Sequence, residues 1–129
     1  LDSNAYFHVV CDKLRQKLRM SMARCKNHLI ADYGQIMYLE DNIPLIYKTN
    51  APPEYIAELE EPHLLLVKTE IEKGKEVYFY RMYRGSHTYN TLEMSRLISG
   101  TVDECKAQGI ETMPPEQIER MLSAWQPKQ

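Results

Sequence analysis

Two neighbouring runs of β-forming residues constrain the fold of this chain more than any other feature. His63 to Glu72 and Glu76 to Arg84 are rich in β-branched and aromatic residues, and Lys73-Gly74-Lys75 separates them. Runs of this composition on either side of a short glycine-containing connection are typical of a β-hairpin. The sequence therefore predicts antiparallel pairing in the middle of the chain.

Two shorter strands are predicted ahead of this hairpin. Gln35 to Glu40 and Ile43 to Thr49 lie on either side of Asp41-Asn42, residue types that favour turns. After them, Pro52-Pro53-Glu54 predicts a short helix to about Glu60, because proline is favoured in the first turn of a helix. The middle of the chain is thus expected to be a small sheet built from hairpins.

Apolar residues at helical spacing flank this sheet on both sides. Before it, Asp2-Ser3-Asn4 supplies capping residues for a first helix of about four turns, and a break at Arg19-Met20-Ser21 leads to a second. Gly34 is expected to end the second helix in a left-handed conformation. After the sheet, helices are predicted from Thr91 to about Gln108, ended by Gly109, and from Pro114-Pro115 onward. The order of elements predicts an α+β fold with an N-terminal helical hairpin, a small antiparallel sheet and C-terminal helices.

Length and composition exclude several classes of protein. A chain of 129 residues is the length of one domain, and its longest apolar run, Leu64 to Val67, is far too short to span a bilayer. Cys11, Cys25 and Cys105 are odd in number and lack metal-ligand spacing. We therefore expect cysteines buried as small core residues in a reducing cytosol, with no structural metal and no cofactor.

The chain contains none of the common catalytic motifs, neither a P-loop, GxGxxG, HExxH nor GxSxG. An enzyme of this sequence would depend on scattered carboxylates, as a magnesium-dependent nuclease does. The acids nearest to predicted element ends are Asp32, Glu40, Asp41, Glu70 and Glu72, and they form no compact motif. Exposed surface carboxylates are the simpler interpretation.

Basic and aromatic residues are concentrated in two regions. Binding of single-stranded nucleic acid requires cations for the phosphates and aromatic faces for the bases. The sequence predicts main DNA contacts at Arg81, Tyr83, Arg84, His87 and Tyr89, with further phosphate contacts at Lys13, Lys17, Arg24 and Lys26. Gly85 and Ser86 are expected to let the backbone approach a phosphate. In the alternative interpretation, the tyrosines pack on the core and the arginines pair with acids.

The last predicted helix carries a short apolar stripe made of Ile118, Met121, Leu122 and Trp125. Such a stripe either closes the core of the domain or docks on another subunit. The Leu64 to Val67 run in so small a sheet favours an oligomer.

Several segments together resemble a known family. Leu1 to Phe7, followed by a basic amphipathic helix, resembles the "(R)SLDxNxxxW/F" segment of the NinB/Orf-type recombination proteins of lambda-like phages. Ala31 to Gln35, Tyr83 to Tyr89 and Gly109 to Thr112 resemble the version carried by phages and prophages of Gram-positive bacteria. The resemblance covers essentially the whole chain. It implies one NinB-like domain over residues 1–129 that lacks an N-terminal β segment.

The resemblance implies a recombination mediator and not a catalyst. Proteins of the lambda type form an intertwined dimer, bind single-stranded DNA, associate with the host single-strand binding protein and help to load a recombinase. We therefore expect a homodimer in the bacterial cytoplasm that binds single-stranded DNA without sequence preference, with no membrane partner. Two alternatives stay open, a magnesium-dependent nuclease or junction resolvase using acids such as Asp32 and Glu70, and a protein-interaction module that uses the Trp125 helix.

Overall fold

The computed structural model describes residues 1–128 as five α-helices and three β-strands. The elements are α1 (Ser3–Leu18), α2 (Met22–Tyr33), β1 (Ile46–Thr49), α3 (Pro53–Ile56), β2 (His63–Glu72), β3 (Lys75–Tyr83), α4 (Thr91–Ala107) and α5 (Pro115–Ser123), with short 3-10 turns at Glu40–Asn42 and Ser86–Thr88. The predicted α+β class is confirmed, with helices at both ends of the chain and the small sheet between them.

The sheet is antiparallel, with β3 between β1 and β2. Lys73 and Gly74 connect β2 to β3, and both have positive φ, 52° and 77°. Positive φ at both central residues defines the type I′ turn, whose twist matches that of the flanking strands. The hairpin predicted from the sequence is therefore present, with β3 beginning at Lys75.

The prediction of a strand over Gln35 to Glu40 is wrong. That segment makes only isolated bridges, Ile36 to Tyr83 and Tyr38 to Pro44, and then enters the 3-10 turn. Pro44 has no N–H to donate to a ladder, which interrupts regular pairing with the residues after the turn. The following strand is accordingly shortened to β1, and α3 ends at Ile56 before the predicted end near Glu60.

Gly34 ends α2, but not in the predicted left-handed conformation. Its φ of −91° and ψ of −163° are extended, and its N–H donates to the carbonyl of Ile30. A Cβ atom at Gly34 would lie 2.5 Å from the Tyr89 hydroxyl oxygen and 2.5 Å from the Ile30 carbonyl oxygen. Glycine is required here because of that close approach, whereas Gly109 has the positive φ expected of a helix terminator.

The main core lies among α1, α2 and α4. Its fully buried residues include Phe7, Cys11, Leu14, Cys25, Leu29, Ile30, Tyr89, Met94, Leu97 and Cys105. All three cysteines are unpaired and buried, as expected for Cys11 and Cys105, and burial raises the pKa of the Cys105 thiol to about 11. A smaller cluster of Ile56, Tyr78 and Tyr80 packs α3 against one side of the sheet.

None of the helices within residues 1–128 is both long and apolar enough to cross a membrane.

Candidate nucleic-acid interface

The two tyrosines expected to stack on bases are part of the core. Tyr89 is 0% exposed, its hydroxyl donates to the carbonyl of Arg84 (3.2 Å), and the backbone N–H of Gln35 donates to that hydroxyl (3.0 Å). Tyr83 is 7% exposed and packs in the same cluster. Because a base stacks on an open ring face, the prediction that Tyr83 and Tyr89 stack on bases is wrong. The alternative interpretation, that these rings pack on the core, is the correct one.

The residues between these tyrosines are also bound to the rest of the protein. The Arg84 guanidinium donates to both carboxylate oxygens of Glu93, at 3.0 and 3.2 Å, and to the carbonyl of Thr88 at 2.8 Å. Ser86 is buried and donates to the Asn4 side chain, so the expectation that its backbone meets a phosphate is wrong. His87 is the one predicted contact of this loop whose side chain is exposed.

His87 and Lys26, predicted as DNA contacts 61 positions apart in the chain, line the same pocket. The pocket has a volume of about 330 Å³, and His8 and His63 also line it, so three imidazoles and one ammonium group converge. Glu60 and Glu61 lie at its edge and offset part of the positive charge of Lys26. We call this cavity the histidine pocket.

His63 shows how strongly burial acts in the histidine pocket. Its Nδ1–H donates to the side-chain oxygen of Asn27 at 2.6 Å, while the Asn27 amide nitrogen donates to the carbonyls of Ala57 and Leu59. Burial, together with the nearby charges of Lys26, His87 and His8, lowers the pKa of His63 to about 4. Burial also lowers the pKa of Lys26. The imidazole of His63 is therefore neutral at physiological pH.

Arg81 lies on the side of the sheet opposite to α3. The strand register places the side chains of Ile46 and Leu65 beside Arg81, and those of Lys48 and Lys68 beside Phe79, on this same side. We call these six residues the open face. The flanking side chains of Ile46, Lys48, Leu65 and Lys68 are exposed, and the side chains of Phe79 and Arg81 are half-buried between them.

Phe79 is the centre of the open face. Its ring lies 4.6 Å from the Lys68 ammonium and 5.7 Å from the Lys48 ammonium, measured to the ring centroid. Lys68 also pairs with Glu70, and Lys48 with Glu72, each at 2.9 Å between side chains that are about half exposed. Exposed ion pairs of this kind contribute only about 0–1 kcal/mol, so the lysines are able to exchange partners.

The open face continues into the histidine pocket. Along β3, the residue after Arg81 on the same side is Tyr83, which pairs with His63, and both line the pocket. Arg81 Nε is buried and has no hydrogen-bond partner among the described residues, in contrast to the paired Arg84. Phe79, Lys48 and Lys68 are not among the predicted contacts, although the alternation of side chains along β3 places Phe79 on the same side as Arg81.

The remaining predicted phosphate contacts lie on the first two helices. Lys13 and Lys17 are exposed on α1, and neither has a carboxylate within ion-pair distance in residues 1–128. Arg24 on α2 pairs with Glu58 at 2.9 Å, and the hydrogen bonds of Ser21 and Arg24 hold the pKa of the Glu58 carboxyl below its usual range. The structure thus joins Lys26, Arg81 and His87 to one surface and leaves Arg24 with an internal partner.

The acids considered for a nuclease are not brought together. Glu70 pairs with Lys68, whereas Asp32 lies at the end of α2, with His28 one turn before it and Glu104 of α4 opposite. A hydrogen bond with the Glu104 carboxylate raises the pKa of the Tyr33 hydroxyl to about 12. In the described part of the chain, His28, Asp32 and Glu104 are the one set of metal-ligating side chains whose donor atoms all lie within 4.8 Å of one another.

Trp125 closes the core and does not present a docking surface. It is 2% exposed, and its indole N–H donates to the carbonyl of Tyr89 at 2.8 Å. The other residues of the predicted stripe, Ile118, Met121 and Leu122, are half-buried against the main core. An interaction module anchored by Trp125 is therefore inconsistent with this packing.

Comparisons with models of known protein families, with curated proteins and with solved structures find no match for this chain. Its function has to be argued from the geometry of its own surfaces.

Proposed function

We propose that this protein binds single-stranded DNA without sequence preference, through the open face of the sheet and the adjoining histidine pocket. The observation that carries the proposal is the Phe79 ring, which lies on the central strand between the ammonium groups of Lys48 and Lys68. A ring beside two cations offers a base a stacking partner and offers the flanking phosphates two positive charges.

Stacking supplies the part of the affinity that does not depend on sequence. Every base has a π-face, so a protein ring accepts any of them, at about 1–3 kcal/mol for each stacked base. Phe79 is half-buried by its neighbours, which fixes the ring before binding. A pre-positioned ring loses little conformational entropy when the strand binds.

Cations around the ring supply the electrostatic part. Lys48 and Lys68 flank Phe79, Arg81 follows it on the same side, and Lys26 lines the pocket beyond, where His87 adds an exposed imidazole. The carboxylate partners of the two lysines are exposed, so phosphates are able to replace them at little cost. The line of positive charge from the hairpin to the pocket matches an extended strand and not a compact ligand.

The experiment is fluorescence anisotropy of a labelled oligothymidine titrated with protein at several salt concentrations. We expect tighter binding to the single strand than to a duplex, and an affinity that falls as salt rises. Phe79→Leu keeps the apolar volume without the aromatic face. We expect it to weaken binding by about fivefold or more, since one stacked base contributes about 1–3 kcal/mol.

A matched pair of double variants tests the position of the interface. Each phosphate of a single strand that the protein neutralises adds about 0.7 to the slope of log K against log salt, so Lys48→Gln with Lys68→Gln is expected to reduce that slope by about 1.4. Lys13→Gln with Lys17→Gln removes the same charge from α1 and is expected to leave the slope nearly unchanged. Equal effects of the two double variants, or no effect of Phe79→Leu, would rule out the open face as the binding surface.

The role in recombination is supported by the resemblance to the NinB/Orf-type proteins. From that resemblance, the proposal further includes that the protein helps to load a recombinase and associates with a single-strand binding protein. It also includes that the protein is a homodimer in the bacterial cytoplasm. The exposed Leu65, Leu66 and Val67 of the edge strand β2 support a homodimer, because edge strands with apolar side chains pair readily with another chain. Sedimentation equilibrium of the protein without DNA tests that part separately.

A further inference from the structure

A second surface of the molecule carries chemistry that DNA binding does not use. On α2, His28 and Asp32 are four residues apart and lie on one side of the helix, and Glu104 of α4 faces them. His28 Nε2 is 3.2 Å from a carboxylate oxygen of Glu104 and 3.5 Å from one of Asp32. The imidazole nitrogen therefore lies between two oxygen donors that come from two different helices.

These separations match those between ligand atoms around a metal ion. With bonds of about 2.1 Å, neighbouring ligand atoms are about 3.0 Å apart in an octahedral site and about 3.4 Å apart in a tetrahedral one. The third separation, between the two carboxylate oxygens, is within 4.8 Å. Like charges hold these oxygens apart, and a cation between them would draw them together.

We propose that His28, Asp32 and Glu104 bind a divalent first-row transition-metal ion such as Zn²⁺. One imidazole and two carboxylates suit Zn²⁺, Mn²⁺ or Co²⁺, whereas Mg²⁺ and Ca²⁺ prefer oxygen ligands alone. Three protein ligands leave at least one coordination position for water or an exogenous ligand, as in metal sites that are not purely structural.

The packing of α2 against α4 holds the three side chains in place. Gly100 lies one turn before Glu104, and a Cβ atom there would be only 2.3 Å from the ring of Tyr33. Glycine in the interior of a helix is less stabilising than alanine, and here it allows the Tyr33 ring to pack directly on the α4 backbone. This close packing fixes the separation between α2, which carries His28 and Asp32, and α4, which carries Glu104.

The position of the site leaves room for a further ligand on the metal. Asp32 also lines a polar cleft of about 720 Å³, together with Arg96 and Asp103. The site is independent of the open face, so the metal proposal stands or fails without reference to DNA binding.

The test is titration of the full chain with Co²⁺, followed by its visible absorption, and calorimetric titration with Zn²⁺. We expect one ion per chain, Zn²⁺ binding that Mg²⁺ in excess does not displace, and a weak visible spectrum typical of nitrogen and oxygen ligands. His28→Gln and Glu104→Gln are each expected to weaken binding by more than about 100-fold, because even outer hydrogen-bond partners of a metal site contribute about 10–100-fold.

Two matched variants control for charge and for the other histidines. Asp103→Asn removes one charge from the neighbouring position of α4, and His87→Gln removes an exposed imidazole of the histidine pocket; both are expected to bind the ion as the parent chain does. His28, Asp32 and Glu104 are partly exposed, so their variants are expected to keep the parent circular dichroism spectrum. Absence of saturable Zn²⁺ binding, equal affinity in His28→Gln, or an intense thiolate-to-cobalt band from the buried cysteines would overturn the proposal.

Discussion

The helical half of the molecule and its β-hairpin differ in how their apolar side chains are buried. In α1 and α4, apolar side chains such as Phe7, Leu14 and Leu97 are completely buried. In β2, one residue of ten is buried, His63, and Leu65, Leu66, Val67 and Ile71 are all exposed. Burial of one large apolar side chain contributes about 1.5–3 kcal/mol, so most of the stability comes from the helices.

This difference in burial indicates that the helices stabilise the fold and that the hairpin provides a surface for binding. Within the hairpin, β2 is held by its backbone ladder to β3, and β3 is held by the small cluster around Tyr80, whose hydroxyl donates to the carbonyl of Ala51 at 2.7 Å. From Leu65 to Glu72, the side chains of β2 are exposed and available to a partner. The open face lies on this half, and the histidine pocket lies where the hairpin meets the helices.

The largest loss of stability is expected from a substitution in the core of the helical half. Phe7→Ala removes a fully buried ring from the main core, and such truncations cost about 3–5 kcal/mol. Ile71→Ala removes an apolar side chain that is 71% exposed in the hairpin, and we expect it to change the free energy of unfolding by less than about 0.5 kcal/mol. Urea denaturation of both variants measures the difference, and comparable losses would contradict this division of the molecule.

A smaller effect is expected at the junction of the two halves. His63 is neutral in the folded protein because burial lowers its pKa from 6.5 to about 4. The unfolded chain therefore binds a proton at a higher pH than the folded one does. The stabilisation is complete above about pH 6.5 and is lost as the pH falls towards 4, a change of up to about 3 kcal/mol.

The pH dependence of unfolding by urea, compared between the parent chain and His63→Gln, isolates this contribution. Gln keeps a donor for the Asn27 side-chain oxygen and has no charge at any pH. The comparison removes the background that the two proteins share, so the difference between the two curves reports His63. Parallel curves between pH 7 and pH 4 would show that His63 is not the group responsible.

Local patterns predicted most of the fold. The β2–β3 hairpin, the two N-terminal helices and α4 all follow from periodicity and capping residues, which act within a few positions of the chain. At the start of α4, for example, the side chains of Asn90 and Glu93 form a capping box between residues only three positions apart. The prediction of a strand at Gln35 to Glu40 is wrong because the segment after the turn contains Pro44, which has no N–H for regular pairing.

The candidate site was less predictable because it depends on distant contacts. From its neighbours in the sequence alone, Tyr89 cannot be distinguished from a tyrosine that stacks on bases. Its burial depends on contacts with Gly34, Gln35 and Trp125, which lie far away in the sequence. In the same way, Glu93 neutralises Arg84 from the next helix, and Glu104 joins His28 across 76 positions. No window of the sequence contains such pairs together.

The smallest effect on stability is expected from a double variant of the open face, which separates the role of the hairpin in binding from its role in folding. Lys48→Gln with Lys68→Gln removes two exposed ion pairs, from Glu72 and Glu70, and exposed pairs contribute about 0.2–1 kcal/mol each. We expect the free energy of unfolding of the double variant to lie within about 2 kcal/mol of that of the parent chain, while its binding of oligothymidine becomes less salt-dependent. Urea denaturation and anisotropy on the same preparation measure both quantities. A large loss of stability would mean that these lysines hold the hairpin together through their contacts with Phe79. The lysines of the open face would then have a structural role.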